Sequence, residues 1–137
     1  MKNEGMFDKC KIFTQGYAYF VFRVVIGVLF MMHGLTKFGV IGGKPSVAFM
    51  SLMGAAGTIE VVAGAFIALG LWTRLLATLS ALLMLVAYGM AHASKALSPL
   101  ANGGELALVY FAAFLALATY GAGIWALEKA WCKKECF

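Results

Sequence analysis

Four long apolar blocks, separated by short breaks of glycine, proline and polar residues, leave this chain few ways to fold. The blocks run over about 17–38, 49–72, 75–93 and 105–124. Between them lie GVIGGKP (39–45), the pair Thr73-Arg74, and SKALSPLANGG (94–104). A helix crosses the hydrocarbon core of a bilayer with about 20 residues, so each block has the length of one crossing. Each is apolar on nearly every face, the pattern of a helix solvated by lipid. Lipid offers the backbone no hydrogen-bond partners, so such segments must satisfy themselves as helices. Connections this short make neighbours run antiparallel. The sequence therefore predicts an all-α fold, an integral membrane four-helix antiparallel bundle.

Composition excludes the soluble alternative. The chain is 63% hydrophobic and 12% charged, against about 25% charged in a typical soluble domain. The net charge of +5 would raise nucleic acid as a partner, but no basic face with interleaved aromatics is present, so none is expected. Basic residues instead flank the blocks, with Lys2, Lys9 and Lys11 in front and Lys129, Lys133 and Lys134 behind. The expected partner is the lipid bilayer. The first block follows a polar lead and precedes no small-x-small cleavage site, so it reads as a retained helix. This gives an N-terminal lead (1–16), a helical bundle (17–124) and an amphipathic tail (125–137). With an even number of spans, Arg74 joins the flanking lysines on one side and Lys37, Lys44 and Lys95 lie on the other. The positive-inside rule then places both termini in the cytoplasm of a bacterial inner membrane. Trp72, Trp125 and Trp131, with Tyr17 and Tyr19, would form the inner aromatic belt. Cys10, Cys132 and Cys136 fall in cytoplasmic flanks, where thiols stay reduced, and read as surface residues.

The informative residues are those that do not belong in hydrocarbon: Arg23, His33, Lys37, Glu60, His92 and Glu105, with Asn102 beside them. Ionisable groups at membrane depth are costly and face a bundle interior or a wet cavity. All but Arg23 converge on the outer part of the bilayer, from all four helices. Glu60 shares a face with Ala56, Gly64 and Ala68, the small-residue face that meets other helices, and Lys37 is its expected counter-charge. Two readings stay open: a polar pocket for a ligand or a proton, or internal ion pairs that fix helix register, Glu60 with Lys37 and Glu105 with His92 or His33. Arg23 lies about 15 Å deeper than His33 at 1.5 Å per residue and is expected to reach back to the inner headgroups. Metals are set aside. Met32 and His33 are adjacent on a helix and diverge by about 100°, which counts against copper; the pair Met90-x-His92 adds little. His33 and His92 lie too near the surface for haem b. No metal site and no intrinsic cofactor are expected.

Three stretches resemble the DoxX family. RVVIGVLFMMHGLTKFG (23–39) resembles its first-helix signature, Arg, then Gly-x-x-Phe, then Gly-x-x-Lys. GTIEVVAGAFIALGLWTRLLA (57–77) is similar to the second, Glu-x-x-x-Gly followed by Leu-Gly-Leu and Thr-Arg. ANGGELALVYFAAFLALATYGAGIWALE (101–128) resembles the third, Asn-Gly-Glu opening a helix that ends in Gly-x-Gly. Ala126-Leu127-Glu128 departs from the Ser-Leu-Asp of many relatives. The resemblance implies a four-helix membrane protein with Arg23, Lys37, Glu60, Arg74, Asn102 and Glu105 at the family's polar positions. It also implies a link to quinone-dependent sulfur oxidation or to membrane thiol-defence complexes, beside other subunits. The leading expectation is thus a redox-linked, quinone-interacting subunit. Glu60 would be its catalytic proton donor and acceptor; His33, Lys37, Glu60, His92, Asn102, Glu105 and the deeper Arg23 would bind the ligand. A bound quinone, a homo-oligomer and other membrane or redox subunits are the expected company. The alternatives are a small proton-coupled carrier, or a structural or assembly subunit of a membrane complex.

Overall fold

The computed structural model describes residues 6–43 and 46–132, with side chains described from residue 15 to residue 131. Every regular element among the described residues is helical: α1 (Met6–Lys37), α2 (Leu52–Leu69), α3 (Thr73–Ala91), α4 (Pro99–Asn102), α5 (Glu105–Tyr120) and α6 (Leu127–Cys132). Among the described residues three segments are long and apolar enough to cross a membrane: Gln15–Lys37 of α1, all of α2 and all of α3. Helix α5 is equally apolar but has 16 residues, about 24 Å at 1.5 Å per residue, less than the hydrocarbon thickness of about 30 Å. This is the make-up of a multi-pass membrane protein.

The helix boundaries follow local chemistry. Ser51 caps α2, its Oγ accepting from the Gly54 amide at 3.0 Å, so the helix starts at Leu52 and not at the expected residue 49. At the other end Gly70 takes a left-handed conformation, φ 72°. The Leu71 amide then reaches back to the Phe66 carbonyl at 2.9 Å, closing the helix in the manner of a Schellman cap. Residues 70–72 turn the chain directly into α3. The fourth long helix ends at Tyr120, four residues before the expected 124. Gly121 and Gly123 adopt positive φ, 79° and 68°, a conformation that breaks the helical ladder and that glycine adopts at little cost. The chain leaves α5 as irregular backbone over 121–126. Helix α1 instead extends back to Met6, taking in most of the expected N-terminal lead. Lys2, Lys44, Lys133, Lys134 and Cys136 lie outside the described residues, as do the side chains of Lys9, Cys10, Lys11 and Cys132.

Helix α1 packs along α2, and α3 along α5. The first contact is backbone to backbone. A Cβ placed on Gly27 would lie 2.7 Å from the Gly64 carbonyl oxygen, and one on Gly64 would lie 2.6 Å from the Gly27 carbonyl oxygen. Close approach of this kind is how helices adhere in lipid, where no hydrophobic drive operates between them. The two pairs meet over one core, with Phe30 of α1, Ile67 of α2, Ala77 and Met84 of α3, and Tyr110, Phe114 and Leu117 of α5. Phe30 and Phe114 meet edge to face with centroids 4.6 Å apart, a favoured aromatic geometry. Large apolar side chains such as Val21, Leu79, Leu82 and Val109 point outward, as a lipid-facing surface requires.

Candidate functional site

At the upper end, where α1 and α3 finish and α2 and α5 begin, the helices leave a cavity of about 290 Å³. Its polar wall is His33 and Lys37 of α1, Glu60 of α2, His92 at the end of α3, and Tyr110 of α5. Glu60 is 1% exposed. Its Oε1 accepts from the Lys37 ammonium, the pairing expected from depth and spacing. Its Oε2 is buried and has no partner among the described residues. A buried carboxylate without partners is costly, and Lys37 offsets only half of the hydrogen-bonding demand. The second oxygen therefore keeps an unused capacity to accept, in a residue that lines the cavity.

His33 sits exposed at the rim, its ring centroid 6.2 Å from that of Tyr110. The His92 Nδ1 lies 2.9 Å from the Asn102 carbonyl oxygen. A carbonyl can only accept, so Nδ1 carries a proton and donates it. Sequence reasoning missed Tyr110. Nothing in an evenly apolar span singles out this tyrosine, and it is the rotation of α5 that turns it inward, stacked on Phe114 with centroids 5.8 Å apart.

Three other expected site residues do not line this cavity. Asn102 is buried, and its side chain is spent on backbone and loop. Its Nδ2 donates to the Ala96 carbonyl at 2.9 Å and to the Tyr88 hydroxyl at 3.1 Å, while its Oδ1 accepts from the Gly104 amide at 2.8 Å. Its contribution to the cavity is indirect, through the carbonyl that orients His92. Glu105 stands exposed in the first turn of α5, where a carboxylate complements the helix dipole. Among the described residues it forms no ion pair with His33 or His92, contrary to the register-fixing reading. Arg23 corrects another expectation. It does not reach to headgroups but is fully buried at the lower end. Its guanidinium donates to the Ala122 carbonyl, to Ile124 at 3.1 Å and to Trp125 at 3.0 Å.

Those three carbonyls belong to the irregular segment after α5. Unsatisfied carbonyls in lipid cost several kcal/mol each, and a planar guanidinium can serve several at once. Arg74 treats the last turn of α5 likewise, donating to Ala118 at 3.2 Å and Thr119 at 2.6 Å. Tyr19 adds a bond to the Gly121 carbonyl at 2.6 Å, and the Glu128 carboxylate accepts from the Trp72 amide at 3.2 Å. The polar residues thus divide by task. Arg23, Arg74 and Asn102 satisfy the backbone at the two ends of the short helix α5. Lys37, Glu60, His33, His92 and Tyr110 face a cavity.

The DoxX family model matches residues 18–93, the stretch from the start of the apolar part of α1 to just past α3. The chain belongs to the DoxX family. It is also 38% identical, over 120 residues, to an uncharacterized protein of Haemophilus influenzae, an alignment covering 82% of this chain and 89% of the relative. No solved structure matches. The DoxX match includes Arg23, Lys37, Glu60 and Arg74, whereas Asn102, Glu105 and Tyr110 lie beyond it. Both members of the buried ion pair therefore fall within the part of the chain that carries the family assignment.

Proposed function

We propose that this DoxX-family protein is a four-helix antiparallel bundle with both termini in the cytoplasm. Its cavity then lies near the periplasmic face of the inner membrane and holds the head of a quinone for a redox complex. One observation carries this reading: Glu60, a buried carboxylate with one oxygen paired to Lys37 and the other without a partner among the described residues, lines the cavity. At about 290 Å³ the cavity sits near the lower bound of ligand pockets, about 300–1,000 Å³, a size suited to one small ring. Converting a quinone to a quinol adds two electrons and two protons. The Lys37 ammonium is placed to donate to one carbonyl oxygen, and Glu60 and His92 to supply or take up protons as that oxygen changes basicity. Electrons come from a partner subunit, and the chain alone is not a complete oxidoreductase.

The carrier reading requires a polar route to the other side. Below the cavity lie Phe30, Ile67, Phe114 and Leu117, each 0% exposed. Of the hydroxyls such a route would use, Thr78 and Thr119 are exposed and bonded to carbonyls of their own helices. Ser80 alone of the three is buried, its hydroxyl without a partner among the described residues. These observations favour a pocket open at one end.

The test compares wild type with Glu60→Gln, both purified in mild detergent, with the co-purifying small molecules extracted and identified by mass spectrometry. Quinone is expected with the wild type and at about tenfold lower occupancy with the variant, a change worth about 1.4 kcal/mol. Equal quinone in both preparations, or none in either, overturns the reading.

A further inference from the structure

The cavity is not closed on all sides. Beside it lies a groove of about 360 Å³ between α2 and α3, and Lys37, Met53, Glu60, Met84, Ala87 and Ala91 line both spaces. The rest of the groove wall is almost wholly hydrocarbon: Leu52 and Ala56 on α2, Leu83, Val86 and Met90 on α3. The only further polar side chain among the described residues of the groove wall, Ser51, is already engaged, its hydroxyl bonded to the Ala48 carbonyl and capping the Gly54 amide. The architecture explains why the seam gapes. Helices α2 and α3 are tied together at the lower end by the tight turn 70–72, but each packs chiefly on another helix, α2 on α1 and α3 on α5. Ala56, Ala87 and Ala91 line the gap, and so do Leu52 and Met90, both more than half exposed.

A space with a charged end and an apolar length fits one kind of molecule. An apolar cavity does not hold ordered water, and a polar ligand would find no partners along the groove. We propose that the α2–α3 groove seats the hydrocarbon tail of the molecule whose head occupies the cavity, so that the ligand slides in sideways from the bilayer. This rests on the quinone reading of the head site and adds a second, separable subsite to it. Ala56 and Val86 line the groove and not the cavity, so filling them tests the tail alone.

The experiment places wild type, Ala56→Leu and Val86→Phe in nanodiscs of one phospholipid composition. It titrates each with a long-tailed prenyl benzoquinone and with its tail-less analogue. Both variants are expected to weaken the long-tailed quinone about tenfold and to leave the tail-less analogue within about twofold. The unchanged analogue also shows that each variant is folded with its head site intact. Loss of neither ligand, or equal loss of both, overturns the groove as a tail site and leaves the head site standing. Failure of the wild type to bind either ligand overturns the quinone reading itself, and this proposal with it.

Discussion

Removing Lys37 alone and removing Lys37 together with Glu60 are different experiments. The Lys37 side chain is 21% exposed, while Glu60 is sealed at 1%. Lys37→Met therefore strands a carboxylate in a low-dielectric site, a loss of about 3 kcal/mol. Lys37→Met with Glu60→Met removes both charges, and most of that loss is expected to return, because a buried pair adds little over well-packed apolar side chains. Midpoints of thermal unfolding in one detergent decide the matter; a double variant as unstable as the single would mean that the pair itself holds the upper end together. This partnership was legible from sequence because depth and charge alone bring a lysine at the end of one span level with a glutamate in the next. Tyr110, Asn102 and Glu105 were not legible to the same degree. Their roles depend on how far α5 is rotated about its own axis, and a helix apolar on every face carries no periodicity that fixes that angle. Thus Glu105 read as a wall of the pocket and lies outside it, while Tyr110 read as nothing and lies inside.

Helix α5 is too short for a full crossing, and its ends show how the chain accommodates that. Arg74 and Arg23 accept the task that further helical turns would have performed, donating to carbonyls at 118–119 and at 122–125. Arg23→Lys keeps the charge but replaces a planar fork with a single ammonium that cannot reach three carbonyls in the same geometry. Hydrogen bonds to charged groups contribute about 1.5–3 kcal/mol each, so a loss of about 3 kcal/mol in unfolding free energy is expected. Faster amide hydrogen exchange across 121–126 should accompany it, with quinone binding at the distant cavity within about twofold of wild type. Unchanged exchange in that segment would show that the guanidinium is not what fixes it. The stop itself was written in the sequence as Gly121-Ala122-Gly123, which an expectation of a full-length span overran. The destination of Arg23 was not readable: an arginine within an apolar block announces its depth, but its partners come from residues 99 or more positions away.

At the scale of the whole molecule, two helix pairs close over an aromatic core and part at the upper end, so the polar cavity and its apolar side groove are consequences of one packing arrangement. Orientation decides which side of the membrane that cavity serves. The proposed placement rests on the sequence alone: an even number of spans puts Arg74 on the side of the lysines that flank the blocks, in excess over Lys37, Lys44 and Lys95 on the other. Two positions can report it. Leu97, in the connection between α3 and α4, is 99% exposed at the upper end, and Trp131, on α6, is 85% exposed at the lower. With Cys10, Cys132 and Cys136 changed to serine, Leu97→Cys and Trp131→Cys are treated in intact spheroplasts with a membrane-impermeant thiol reagent. Leu97→Cys is expected to label at once, and Trp131→Cys only after the membrane is permeabilised. The reverse pattern would turn the cavity toward the cytoplasm, and its electron-donating partner would then be sought there. Labelling of both in intact spheroplasts would mean that the charge difference is too small to fix one topology, and the two orientations would coexist in the same membrane.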